Sequence, residues 1–158
     1  KLEKYAAIDA IKEEMNELFT KENEDTMKEF GLDKNEFAST LLGMVIDTEH
    51  EEYYMIHLGD GLIAVQDEAD RIFLLSEPEN GRKLNETIRS TSEKALKHLR
   101  VCKGHLNQIK SVLLVSDGIY QGYYDIEKIE QIFRNDNPHD ILKETTDDQA
   151  YIKMAMSA

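Results

Sequence analysis

Residues Ser111–Gly122 read SVLLVSDGIYQG, and the fold turns on how that stretch is interpreted. Val112–Val115 is an unbroken aliphatic run, β-branched at both ends, leading into Ser116-Asp117-Gly118. A short apolar run closed by turn residues predicts a strand buried on both faces. Asp117 then stands where the strand leaves the core, and Gly118 lets the backbone turn sharply beside it. A carboxylate placed there has a rigid strand behind it and an open cleft ahead. Taken singly, such an aspartate more commonly serves its own turn by bonding nearby backbone. Two further acidic turns, Gly59-Asp60-Gly61 and Asp147-Asp148, bring in the alternative of a shared cation site.

Upstream, Phe37–Ile46 reads as a buried strand, Asp47–Glu51 as its turn, and Tyr53–Leu58, Leu62–Val65 and Arg71–Leu75 as three more strands. The links are too short for crossover helices, so the pattern predicts an antiparallel meander. Before it, Leu2, Tyr5, Ile8, Ile11, Met15, Leu18 and Phe19 form one apolar stripe of a helix over about 1–21. The polar segment 23–33 reads as loop or continued helix. Ser76–Thr91, punctuated by Pro78, Asn80, Gly81 and Asn85, reads as a long surface loop. Ala95–Lys103 alternates and precedes Gly104, which favours strand over helix. Downstream, Ile126, Ile129, Ile132 and Phe133 share a helix face with Asp125 as N-cap, His139–Leu142 gives one helical turn, and Tyr151–Met156 a final strand. The expected class is α+β, in a single domain over 1–158.

A net charge of −13 without a basic cluster argues against a nucleic-acid partner. No apolar run is long enough to span a bilayer, so no membrane partner is expected. A single cysteine, Cys102, forbids an internal disulfide and fits a reducing compartment, which points to the cytoplasm. It reads as a small buried hydrophobe. His50, His57, His98, His105 and His139 lack metal-ligand spacing and read as strand or surface residues, with His57 below Asp60 in its strand. Tyr120, Tyr123 and Tyr124 read as packing residues beside the Asp117 turn, and the acidic run Glu13–Asp25 as a solvated helix face.

Asp60, Asp117 and Asp147, with Asp148 beside it, each lie in a turn next to a core strand. Hard cations such as Mg²⁺ and Mn²⁺ prefer oxygen ligands, and several aspartates at one sheet end would repel one another without a cation between them. The order Phe37-Ala38-Ser39-Thr40, His57-Leu58-Gly59-Asp60-Gly61, Leu114-Val115-Ser116-Asp117-Gly118-Ile119 and Thr146-Asp147-Asp148-Gln149-Ala150 resembles the metal-dependent serine/threonine protein phosphatases of type 2C. That family carries a G-S/T-T-A strand start, an N-x-G-D-S/G turn, an S-D-G strand end and a D-N/D-x-T/S element. The loop Ser76–Thr91 is similar to that of the bacterial branch.

The resemblance implies an antiparallel β-sandwich flanked by helices, with a centre holding two or more Mn²⁺ or Mg²⁺ ions. There a metal-bound water attacks a phosphoserine or phosphothreonine of a protein substrate, and no side chain acts as nucleophile. Asp117 and Asp147 match the family's metal ligands, and Asp60 matches the aspartate of a weaker metal; Asp148, Gly118 and Gly61 lie beside them. Gln149-Ala150 departs from the usual hydroxyl-bearing element. A cognate serine/threonine kinase is the implied signalling partner. The family's D-G-x-G-G segment, with the half-site it carries, is not found in these 158 residues. The chain is therefore expected to be a C-terminal portion of a phosphatase domain, weakly active or inactive by itself. A dehalogenase-type phosphatase would need a second aspartate two residues from Asp117, and Val115 and Ile119 do not supply it. The remaining alternative is a pseudophosphatase or regulatory binding module on the same fold.

Overall fold

The N-terminal helix forms as expected, with Ile8, Ile11, Met15 and Phe19 on the core and Leu18 exposed, but it runs further. In the computed structural model, which describes residues 2–79, 87–116, 126–134 and 151–155, helix α1 (Leu2–Glu17) passes through a π-helical turn (Leu18–Glu22) into α2 (Asn23–Phe30). Both junction residues keep right-handed helical dihedrals, so the first eight residues of segment 23–33 continue the helix. Gly31 ends it at φ 66°, a left-handed conformation that glycine adopts cheaply, and the N–H groups of Gly31 and Leu32 both cap the Met27 carbonyl. Glu13, Glu14, Glu17, Glu22, Glu24 and Asp25 are exposed, as expected of a solvated face.

Contacts divide the chain into two compact units, Lys1–Gly59 with Glu79–Leu106, and Asp60–Pro78 with Asn107–Ala158. The first contains a three-stranded antiparallel sheet of β1 (Leu41–Asp47), β2 (Glu52–Leu58) and β5 (Arg100–His105), with β2 central. Leu58, Leu99, Val101 and Ala95 form its core with Met15, and Ile8, Ile11 and Phe19 of the long helix pack on them. The strand expected over 95–103 is divided. Ala95–His98 is a helical turn, α3, and only Arg100 onward is strand. The reason is spacing: Ala95 and Leu99 both enter the core while Lys97 between them is exposed, which a helical turn allows, whereas an alternating strand would put all three on one face.

Strand β1 also starts later than expected, at Leu41. Its last partner on β2 is Leu58, so Phe37–Thr40 has no ladder to join; instead the Ser39 carbonyl accepts from the Ser90 N–H and the Ser39 N–H donates to the Ser90 hydroxyl. Cys102 is exposed, contrary to expectation. Strand alternation gives the core position to Val101, and Cys102 takes the other face opposite Met55.

The second unit holds the sheet β4-β3-β6-β7, from β3 (Leu62–Asp67), β4 (Ile72–Ser76), β6 (Ile109–Val115) and β7 (Tyr151–Ala155), all antiparallel neighbours. Strand β6, the sequence landmark, is internal, and Val112, Leu113 and Val115 are buried. Helix α4 (Ile126–Arg134) sets Ile129, Ile132 and Phe133 against Leu62, Ala64, Leu113 and Val115. A helix this short is not stable alone; burial of each large apolar side chain, worth about 1.5–3 kcal/mol, holds it. The predicted N-cap Asp125 and the helical turn at His139–Leu142 lie outside the described residues.

The class is α+β with antiparallel sheets, as the sequence indicates, but the single meander is not observed. Strands β2 and β3 follow each other in sequence yet belong to different sheets, so Gly59-Asp60-Gly61 links two sheets and closes no hairpin. Among the described residues no helix is long and apolar enough to cross a membrane.

Candidate functional site

From His57 to Asp67 every residue is buried except Asp60. The one half-buried residue between β2 and β3 is therefore a carboxylate, flanked by buried Gly59 and Gly61. Gly59 makes this possible: its φ is 107°, and a Cβ built on it would lie 2.5 Å from Thr40 Cγ2, 2.9 Å from Thr40 Cβ and 3.3 Å from the Ile88 carbonyl oxygen. Neither the conformation nor the space admits a side chain.

A polar cluster surrounds the same glycine. The Glu79 N–H donates to the Gly59 carbonyl at 3.0 Å, and Arg100 Nη2 donates to it at 3.4 Å. The same Nη2 lies 3.2 Å from His57 Nε2, and His57 stands opposite Arg100 in the β2–β5 register. Glu79 closes the cluster through its carboxylate, 3.8 Å from Arg100 Nε and 2.7 Å from His98 Nδ1.

Burial first, and then the Arg100 charge, hold the His57 imidazole down to about 4, against an ordinary 6.5; a hydrogen bond to the Gly59 backbone and the Glu79 charge offset this only in part. His57 is thus neutral at pH 7. Arginine has no acceptor, so Nε2 must accept from Arg100, which assigns the ring proton to Nδ1 and makes it the donor to Gly59. Because the folded pKa is the lower one, the unfolded chain takes up the proton first as pH falls. Stability from this group is complete above about 6.5 and is lost as pH falls from there towards 4. Between pH 7.5 and 4.5 the loss is roughly 2 kcal/mol. Urea unfolding at the two pH values should show wild type losing that much more than His57→Asn. Equal losses would contradict the assignment.

Of the residues that the sequence singles out, Asp60 and Gly61 are placed as described above. Asp117, Gly118, Asp147 and Asp148 lie outside the described residues, as do Tyr120, Tyr123 and Tyr124. Among the described residues no three His, Cys, Asp or Glu side chains gather as a metal site. Sequence reasoning missed the roles of Arg100, Glu79 and His98. The available signal was His57 standing where the resembled motif has asparagine, a second polar residue three positions before Asp60.

The chain matches the family model of protein phosphatase 2C over residues 1–150. The chain belongs to the protein phosphatase 2C family. Its fold is that of solved members at low identity. A bacterial serine phosphatase superposes with a TM-score of 0.64 at 14% identity, covering 98% of this chain and 70% of the other. The phosphatase Stp1 from Staphylococcus aureus gives 0.64 at 14% identity, covering 98% and 68%. The phosphatase domain of SpoIIE from Bacillus subtilis, presoaked with manganese, gives 0.51 at 14% identity, covering 94% and 71%. No curated protein matches the chain in sequence.

Proposed function

We propose that this 2C-type protein hydrolyses phosphoserine and phosphothreonine in protein substrates, using Mn²⁺ or Mg²⁺ held by Asp117, Asp147 and Asp60, with Asp148, Gly118 and Gly61 beside them. Family membership supports the reaction class. The observation that carries the site is that Asp60 alone is only half-buried within a buried run, next to a glycine that tolerates no side chain. Its donor chemistry fits a hard cation, which takes carboxylate and water oxygens and little else. Divalent cations at such a centre supply Lewis acidity, which makes water nucleophilic near neutral pH and offsets phosphoryl charge. The chain's own part is to hold carboxylates at the ends of rigid strands: β3 follows Asp60 and β6 precedes Asp117. Substrates would be phosphoproteins opposed by a kinase, in the cytoplasm.

The test is phosphate release from a phosphothreonine peptide by the full-length gene product, with Mn²⁺ and then with excess chelator. Turnover should appear with the metal and vanish without it. Metal-independent turnover would end the two-metal reading. No turnover under either condition would favour the regulatory module on this fold.

A further inference from the structure

Gly59 is the first residue beyond two ladders. On one side β2 last pairs at Leu58 with Leu41, and on the other at His57 with Arg100. Its carbonyl has left the sheet, yet donors from three different stretches meet it: the Glu79 N–H, Arg100 Nη2 and the His57 ring. A carbonyl has two lone pairs, so this acceptor is filled and directed from several sides. Glu79 acts twice, through its backbone on the carbonyl and through its carboxylate on Arg100 and His98. The Gly59 carbonyl lies in the peptide plane that carries the Asp60 nitrogen. Fixing one fixes where Asp60 departs from the chain.

We propose that Arg100, braced by Glu79 and paired with His57, is a positioning residue that sets the Gly59–Asp60 peptide and thereby aims the Asp60 carboxylate at its cation. This deepens the metal-site reading and rests on it. Partners that orient a ligand from behind typically matter 10- to 100-fold in metal affinity. The sign of the effect separates positioning from charge. Losing the Arg100 cation would by electrostatics alone tighten Mn²⁺ binding at a nearby carboxylate. Losing a positioning device weakens it.

The experiment measures Mn²⁺ binding to the full-length protein by EPR at pH 7.5, alongside metal-free melting. Asp60→Asn should abolish one class of Mn²⁺ site. Arg100→Met should weaken the same class 10- to 100-fold and alter the spectrum of the bound ion at saturation. Unchanged or tighter Mn²⁺ binding by Arg100→Met, with Asp60→Asn still deficient, would overturn the positioning role and leave the metal site standing. Unchanged binding by Asp60→Asn would remove the metal site itself. If Arg100→Met does not fold, His57→Leu decides, because the ring is neutral at this pH and no charge is lost. It should weaken the site in the same sense, and wild-type affinity would overturn the proposal.

Discussion

Asp117→Asn is expected to lower Mn²⁺-dependent turnover of a phosphothreonine peptide about 1,000-fold or more. Asparagine keeps the shape and one oxygen but removes the negative charge that a hard cation requires. Metal ions contribute several kcal/mol of transition-state charge stabilisation, and each 1.36 kcal/mol is tenfold in rate. The loss should not come from unfolding. The strand behind Asp117 is secured by Val112, Leu113 and Val115, which are buried with α4 or within the sheet and do not depend on the carboxylate. Melting temperatures measured with excess chelator should therefore agree. Retention of more than about a tenth of the wild-type kcat would exclude Asp117 as a ligand of the catalytic metals. Asp60→Asn should cost less, since the resemblance assigns Asp60 to the weaker metal.

How much of this was legible depends on the range of the interactions involved. Strand β6 and helix α4 declare themselves because their signals are local: an aliphatic run ended by a turn, and an apolar stripe at helical spacing. The first helix was equally plain, but its extension to Phe30 depended on a π-helical turn and on Met27 packing that the polar segment 23–33 does not advertise. Ala95–His98 was ambiguous in principle, since an alternating pattern and a spacing of four share residues there. The division of β2 and β3 between sheets was illegible because Gly-Asp-Gly suits a hairpin as well as a link. Arg100 could not be connected with His57 by inspection: they are 43 positions apart, and only the β2–β5 register makes them neighbours. The acidic turn was thus visible in the sequence, and what holds it from behind was not.

That hidden support makes Gly59, and not a charged residue, the most sensitive position of the turn to substitution. Gly59→Ala is expected to destabilise the protein by about 4 kcal/mol, combining a strained backbone with overpacking. A φ of 107° is one that L-residues rarely adopt, so alanine must either accept the strain or swing the peptide. Swinging it would break the carbonyl's bonds to Glu79 and Arg100, both of which depend on its present direction. Staying put drives the new methyl into Thr40, whose own Cβ would be 2.9 Å away and cannot rotate aside as a flexible chain end could. Thr40→Ala should not restore the loss, because that Cβ remains, as does the Ile88 carbonyl oxygen at 3.3 Å. Urea unfolding of Gly59→Ala and of the double variant gives the answer. A loss under about 1 kcal/mol in the single variant would show that the turn yields easily, and a turn that yields so easily could not aim Asp60.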